Sequence, residues 1–245
     1  MIPSEKTKFI SNWIKTYVDQ MPSKAQSLVI GISGGIDSSV SSTLSAMTGI
    51  KTIVLTMPIR QKDNQHDLSL KHKEWLEKKF KNVEAHTIIL DELFNTFSSS
   101  LKEFDNEHGF ANSRARLRMT TLYQVAAANK GIVVGTGNKV EDFGVGFYTK
   151  YGDGGVDISP IADCNKTDVW ELGKELGILK EIIDAPPTDG LWDDGRTDEG
   201  QLGFKYEDLE DAMKNPNSPH RQEYEKIRKQ NLHKMEPIPV CKIPS

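Results

Sequence analysis

The sequence is short of cysteine, of long apolar runs and of excess charge of either sign. Its two cysteines, Cys164 and Cys241, stand far apart with no CxxC spacing. Neither a disulfide framework nor a cysteine-built zinc site follows from them, and a reducing cytoplasm is their simplest home. No apolar run approaches the ~20 residues that a membrane-spanning helix requires. Residues 1–20 hold no continuous apolar stretch of the kind a signal peptide needs. Lys and Arg number 31 against 35 Asp and Glu, so the basic excess that carries general nucleic-acid binding is absent. No internal repeat is visible. What remains is 245 residues, 37% hydrophobic and 27% charged, the profile of a globular chain of one domain plus appendages. The expectation is a cytoplasmic protein that engages neither membrane nor nucleic acid.

Along the first half, apolar patterns alternate between strand and helix. Residues 4–20 read as an amphipathic helix, with Ser4 able to N-cap and Phe9, Ile10, Trp13, Ile14 and Tyr17 near helical spacing. Residues 27–32 read as a short buried strand, followed by a Gly/Ser turn and a helix over about 38–47. A second strand is expected at 51–57, stopped by Pro58, and a charged helix at 66–80 with Leu68, Trp75, Leu76 and Phe80 inward. A third strand at 83–90, helices at 91–104 and 114–129, and a fourth strand at 131–135 complete the pattern. Strands separated by such helices imply βαβ units and a parallel sheet covered on both faces. Ligands of such sheets sit at the carboxyl ends of the strands.

Beyond residue 135 the pattern changes. Residues 136–160 are Gly-rich and polar, with little room for regular structure. Further helices are expected at 166–177 and 219–232, then a Pro-containing tail. Residues 184–203 combine Pro186, Pro187, Gly190, Gly195, Gly200 and Gly203 with acidic residues. A stretch that long without a core is a disordered insertion or a functional lid. The expectation here is a lid that excludes water from the site.

The strongest local signal is SGGIDSS at 33–39, between a strand and a helix. Glycines let the backbone approach a ligand closely, and a strand-to-helix turn points unpaired N–H groups and the positive helix end outward. Ser33, Ser38 and Ser39 add hydroxyls. This is a nest for phosphate, but it is not a Walker A loop, because GxxxxGK[ST] is absent. Asp37 stands where a lysine would, and a carboxylate beside phosphate makes sense as a Mg²⁺ ligand. The second signal is GTGNKVEDFGVGFYTKYGDGGVDISP at 135–160, at the ligand edge of the sheet. It supplies Thr136, Asn138, Lys139, Glu141, Lys150, Asp153 and Asp157 on a Gly-rich backbone, with Glu141 a second candidate for Mg²⁺.

The SGGIDSS loop resembles that of the N-type ATP pyrophosphatases, which split ATP into AMP and pyrophosphate while adenylating a substrate oxygen. The 135–160 block resembles the corresponding segment of the NAD synthetase family within that group. The likeness runs from about residue 5 to 237, through NSRARLRM at 112–119, Lys166, Pro187-Thr188 and His233-Lys234. Between 141 and 150 this chain is one residue longer than some relatives.

The resemblance implies a Rossmann-like adenine nucleotide alpha hydrolase fold with helices on both faces of a parallel sheet. It implies ATP-dependent amidation of nicotinic acid adenine dinucleotide (deamido-NAD) by ammonia through an acyl-adenylate, giving NAD, AMP and pyrophosphate. It puts ATP on Gly31, Ile32, Ser33, Gly34, Gly35, Ile36, Asp37, Ser38, Thr136, Lys166 and Thr188, and Mg²⁺ on Asp37 and Glu141. It puts the dinucleotide on Arg116, Lys150, Asp157, His233 and Lys234, at the interface of a homodimer. Ser33 and Lys166 are expected to act on the phosphates, and Asp153 to hold ammonium or take its proton.

On a helix Arg114 and Arg118 share a face and Arg116 points nearly opposite, so the three cannot all grip one anion. Arg60, after the second strand, is a candidate adenine contact. The chain has no room for a glutaminase domain before the phosphate loop, so direct use of ammonia by a single synthetase domain over 1–245 is expected. Two alternatives stand beside this: another N-type ATP pyrophosphatase with a different acceptor, and a non-catalytic ATP-binding module, which would not need Asp37 and Glu141 together.

Overall fold

A computed structural model describes residues 1–60, 63–188, 190–192 and 197–244, without the side chains of 63–66. Its centre is a parallel sheet of β1 (Ser27–Gly31), β2 (Lys51–Thr56), β3 (Val83–Thr87) and β4 (Gly131–Val133), in the order β3-β2-β1-β4. Leu28, Val29 and Ile30 pair with Thr52, Ile53 and Val54 on one side, and Leu28 and Val29 with Ile132 and Val133 on the other. Gly131 is required by its neighbour, since a Cβ there would stand 2.3 Å from the Ser27 hydroxyl.

Alternation along the strands divides the core in two. Leu28, Ile30 and Val54 face α1 (Pro3–Gln20), α2 (Ile36–Met47) and α6 (Lys166–Leu176), meeting Ile14, Val18, Leu44 and Leu172. Val29, Ile53, Leu55 and Val133 face α4 (Asp91–Ser100) and α5 (Glu107–Ala128), meeting Phe94, Met119 and Leu122. α3 (Asp63–Lys79) adds Leu76 to the first layer. The doubly covered α/β sheet read from the sequence is therefore the one observed. The strand order reverses about β1, so the loops leaving β1 and β4 flank the switch point where such sheets take ligands.

Several boundaries differ from the sequence reading. The first helix starts at Pro3 with Ile2 as N-cap, not at a Ser4 cap; proline fits the first helical position because no helical bond needs its N–H. α5 begins seven residues earlier than expected. Asn106 caps it, its side chain accepting from Gly109 N–H at 2.7 Å. The helix expected at 91–104 ends at Ser100 and a 3₁₀ turn follows at Lys102–Phe104.

The largest differences lie beyond residue 135. Lys139–Val145 forms a π-helix where no regular structure was expected, with Asn138 as N-cap and Gly146 (φ 69°) closing it. A π turn accommodates one residue more than an α turn. Short helices α7 (Lys180–Ile183) and α8 (Asp198–Leu202), and the longer α9 (Tyr206–Lys214), occupy the stretch between α6 and α10 (Arg221–Met235). Val140, Val145, Tyr206, Leu209, Ala212 and Tyr224 form a third buried cluster there. Of the 184–203 lid expectation, residues 189 and 193–196 lie outside the described residues. Among the described residues no helix is long and apolar enough to cross a membrane.

Candidate active site

The chain leaves β1 at Gly31 and turns at Gly34, whose φ of 91° favours glycine. α2 then starts at Ile36 with Gly35 as N-cap. Hydroxyls knit the loop: Ser38 Oγ donates to Gly35 O at 3.0 Å and lies 3.2 Å from Ser33 Oγ, which accepts from Gly35 N–H at 3.2 Å. The loop is thus fixed before any ligand arrives, with the positive end of α2 at its rim. Asp37 sits in the first turn of that helix.

Three other segments converge on Asp37. Lys166, the first residue of α6, is 1% exposed and places its ammonium 2.5 Å from Asp37 Oδ2 and 2.9 Å from Glu141 Oε1. Asn138, fully buried at the end of the β4 loop, donates to Asp37 Oδ1 at 3.0 Å. Its own carbonyl oxygen accepts from the backbone N–H of Val140 and of Glu141, both at 3.0 Å. The two strand-end loops at the switch point are therefore tied together through one amide. From α9, Tyr206 donates its hydroxyl proton to Glu141 Oε1 at 2.5 Å.

Burial and mutual charge shift the protonation of each of these groups. Burial opposes the charge on Lys166, but the Asp37 and Glu141 carboxylates outweigh it and keep the ammonium protonated well above the ordinary lysine range. Burial lifts Asp37 above the usual carboxylate range despite Lys166. Burial also lifts Glu141, but Lys166 and the Tyr206 hydroxyl together bring it below that range. The result is a buried cluster of two carboxylates on one ammonium beside the phosphate loop.

The residues expected to bind the dinucleotide also gather, in a different manner. Arg116 Nε donates to the Lys150 carbonyl at 3.2 Å, Lys150 Nζ to the His233 carbonyl at 2.9 Å, and Lys234 Nζ to the Tyr148 carbonyl at 2.9 Å. Arg116 and His233 are exposed. Asp157 is anchored in the framework instead: it accepts from Val133 N–H at 2.7 Å and from the Tyr123 hydroxyl at 3.0 Å.

The arginine triplet sits mid-helix in α5, and Arg116 is its exposed member. Arg114 is buried and reaches the Leu191 carbonyl at 3.0 Å, while Arg118 reaches the Met57 carbonyl at 3.0 Å. Arg60 (φ 46°) hangs its guanidinium 5.3 Å from the Phe94 ring centre, a ring that Arg114 also approaches, at 4.9 Å. Thr136 lies partly buried between β4 and Asn138, and Thr188 partly buried in the irregular chain after α7.

Asp153 accepts from Thr149 N–H at 3.0 Å. Near it lies Asp142, on the π-helix, with its carboxyl group in the space a side chain at Gly137 would fill: a Cβ there would stand 1.9 Å from Asp142 Oδ2. Burial, and the charges of Asp153, Glu141 and Asp37, hold Asp142 well above the usual carboxylate range.

Asp142 and Tyr206 were not among the residues the sequence singled out for the site. Asn138 was among the polar residues of the 135–160 block, but its bond to Asp37 could not be read from its spacing. Tyr206 follows Gly203 as one member of a helical apolar stripe with Leu209 and Ala212. That pattern marks core; the hydroxyl's partner, 65 residues away, leaves no trace in it.

A phosphate-ready loop at the switch point of a parallel sheet, faced by a lysine–carboxylate cluster, defines a nucleotide-dependent α/β enzyme. Comparison with known proteins narrows the class. The NAD synthase family model matches residues 6–243. The ammonia-dependent NAD(+) synthetase of Carboxydothermus hydrogenoformans is 38% identical over 211 residues, covering 84% of this chain and 83% of that protein. Among solved structures, the NMN synthetase of Francisella tularensis superposes with a TM-score of 0.91 at 32% identity, over 99% of this chain and 100% of that one. The ammonia-dependent NAD synthetase of Campylobacter jejuni shares the fold, with a TM-score of 0.79 at 23% identity over 99% of this chain and 100% of that one. The chain belongs to the NAD synthase family. It is an ammonia-dependent enzyme of NAD synthesis that uses ATP as co-substrate.

Proposed function

We propose that this chain adenylates the nicotinate carboxylate of deamido-NAD and passes the acyl group to ammonia, working as a cytoplasmic homodimer with the acceptor at the subunit interface. The observation that carries this is the Asp37–Lys166–Glu141 cluster built against the phosphate loop. In the first step a carboxylate oxygen attacks the α-phosphorus of ATP. The bond to the pyrophosphate oxygen breaks, leaving an acyl-adenylate. In the second, the ammonia lone pair attacks the acyl carbon, the bond to AMP breaks, and nitrogen loses a proton. In this reading Asp153 takes that proton.

The first step is positioning and neutralisation of phosphate charge. The N–H groups at 33–38, the Ser33 and Ser38 hydroxyls and the Lys166 ammonium serve it, with Gly31, Ile32, Gly34, Gly35, Ile36, Thr136 and Thr188 forming the rest of the ATP site. Asp37 and Glu141 suit Mg²⁺, because hard oxygen donors in ones and twos, completed by phosphate oxygens, are its usual set. Bound there, Mg²⁺ would neutralise charge on the phosphates. Arg116, Lys150, His233 and Lys234 would hold the acceptor's phosphates, and Asp157 would shape that face through Tyr123. Residues 184–203 would close over the site and protect the acyl-adenylate from water.

A second reading concerns the acceptor. The structure named as an NMN synthetase superposes more closely than the NAD synthetase above, 0.91 against 0.79, which favours a mononucleotide acceptor bearing the same nicotinate carboxylate. The test is one assay with two acceptors: ATP, Mg²⁺ and ammonium chloride with either the dinucleotide or the mononucleotide. A higher kcat/KM for the dinucleotide with equimolar AMP and NAD supports the first reading, and the reverse preference the second. ATP binding without pyrophosphate from either acceptor would contradict both.

A further inference from the structure

The Glu141 carboxylate is held by a residue from outside the loops that form the site. Tyr206 opens α9, its ring is fully buried, and it stands edge-on to Trp170 with ring centres 5.8 Å apart. Its hydroxyl lies 2.5 Å from Glu141 Oε1, the same oxygen that takes the Lys166 ammonium at 2.9 Å. The Lys166 ammonium also lies 4.9 Å from the Tyr206 ring centre. On its other side the hydroxyl is 3.4 Å from Asp198 Oδ2, at the start of α8. The Tyr206 backbone N–H is tied to α8 as well, donating to Glu199 Oε1 at 3.2 Å. A phenol has one proton to give. Here it points to Glu141, with a second buried carboxylate within reach.

We propose that Tyr206 is the positioning residue that fixes Glu141 for divalent-cation and nucleotide binding, with Asp198 as the alternative acceptor of its hydroxyl proton. The inference rests on the reading of Glu141 as part of the ATP site. A buried carboxylate needs hydrogen-bond donors to keep its charge; Lys166 is shared with Asp37, and the Tyr206 hydroxyl stands nearer to Glu141, at 2.5 Å, than to Asp198, at 3.4 Å. Were a cation to bind at Glu141, the Tyr206 hydroxyl would keep the carboxylate in place, and Asp198, 3.4 Å from that hydroxyl, would remain a second acceptor within its reach. Asp198 opens α8 and Tyr206 opens α9, so the hydroxyl links Glu141 to both helices.

The test uses Tyr206→Phe and Glu141→Gln in the full chain. Mn²⁺ is the probe, titrated in the presence of a non-hydrolysable ATP analogue, beside steady-state kinetics and a thermal melt. The phenylalanine keeps the packed ring and removes only the hydroxyl. Y206F is expected to weaken Mn²⁺ binding about tenfold, as loss of a charge-assisted hydrogen bond implies. KM for Mg·ATP should rise by a similar factor, with kcat within about threefold and a cooperative melt retained. Y206F indistinguishable from wild type in Mn²⁺ affinity and KM, while E141Q is impaired, overturns the inference alone. E141Q binding Mn²⁺ like wild type overturns the reading of Glu141 beneath it, and the inference with it.

Discussion

The two halves of the site are built by opposite means. Around the phosphate loop, side chains bind side chains: Asn138 to Asp37, Lys166 to Asp37 and Glu141, Tyr206 to Glu141. Lys166 is 1% exposed, and Asp37 and Glu141 are 17% and 15% exposed. In the half proposed to take the acceptor, Arg116, Lys150 and Lys234 each rest on a backbone carbonyl. A carbonyl is a weaker partner than a carboxylate, so these cations stay available to an anion from outside. The first half is hydrogen-bonded within itself before ligand arrives, with one ammonium between two carboxylates, and resists change. The second is poised and open.

Changes in the first half should therefore be the most damaging. Lys166→Met leaves two buried carboxylates facing each other without their cation. Breaking a buried ion pair from one side costs about 3–5 kcal/mol, so the thermal midpoint should fall sharply and pyrophosphate release should vanish. A variant with near-normal stability would show that the two halves do not differ as described. Asp37→Ala should likewise abolish pyrophosphate release from ATP.

In the acceptor half, Arg116→Ala should leave stability within about 0.5 kcal/mol, as for other exposed sites. KM for the acceptor should rise at least tenfold while KM for ATP stays put. The wild-type acceptor KM should also climb with added salt, because exposed charges are screened. A rise in both KM values would instead join the halves into one unit.

Asp142 lies between the halves and gives a smaller effect of opposite sign. Its folded-state carboxyl is held well above the ordinary value by burial and by Asp153, Glu141 and Asp37. A carboxyl with a raised native pKa binds its proton more tightly folded than unfolded. Stability is then greatest below the unfolded value of 3.8 and declines as pH rises from there through the folded one. Asp142→Asn removes this loss, so its thermal midpoint at pH 7.5 should exceed that of wild type, with the gap narrowing towards pH 4. A lower midpoint at pH 7.5 would contradict the placement of Asp142 among like charges.

The smallest effect concerns the cysteines. Burial pushes the Cys164 thiol up to about 11, whereas Cys241 is exposed on the tail. A thiol reagent at pH 8 should modify Cys241 at once and Cys164 only on unfolding, with activity unchanged after the first reaction.

How much of this was legible in the sequence follows from how local each feature is. The SGGIDSS loop carries its own glycines, hydroxyls and carboxylate within seven residues, so its chemistry could be read directly. The strands could be read because β1, β2 and β4 are short apolar runs. The end of β3 could not: 88–90 look like strand, but pairing with β2 stops at Thr87. The start of α5 was missed because Asn106 and Gly109 make a cap that resembles a loop. The π-helix does not show in the sequence because its seven residues include Gly144, Gly146 follows them, and they carry no helical apolar period. Asn138 and Tyr206 act through partners 101 and 65 residues away, and such contacts are fixed by the fold rather than by neighbouring residues. Arg116, Lys150, His233 and Lys234 became site residues through resemblance, and their gathering around 148–151 is visible only in three dimensions.

The most direct test of the central claim, that the phosphate half performs adenylation ahead of amidation, is a rapid-quench measurement of pyrophosphate from ATP, Mg²⁺ and acceptor without ammonia. One pyrophosphate per active site, formed with an acyl-adenylate that turns to amide when ammonium is added, is the expected result. Release of ADP and inorganic phosphate instead, or no pyrophosphate until ammonium is present, would contradict it.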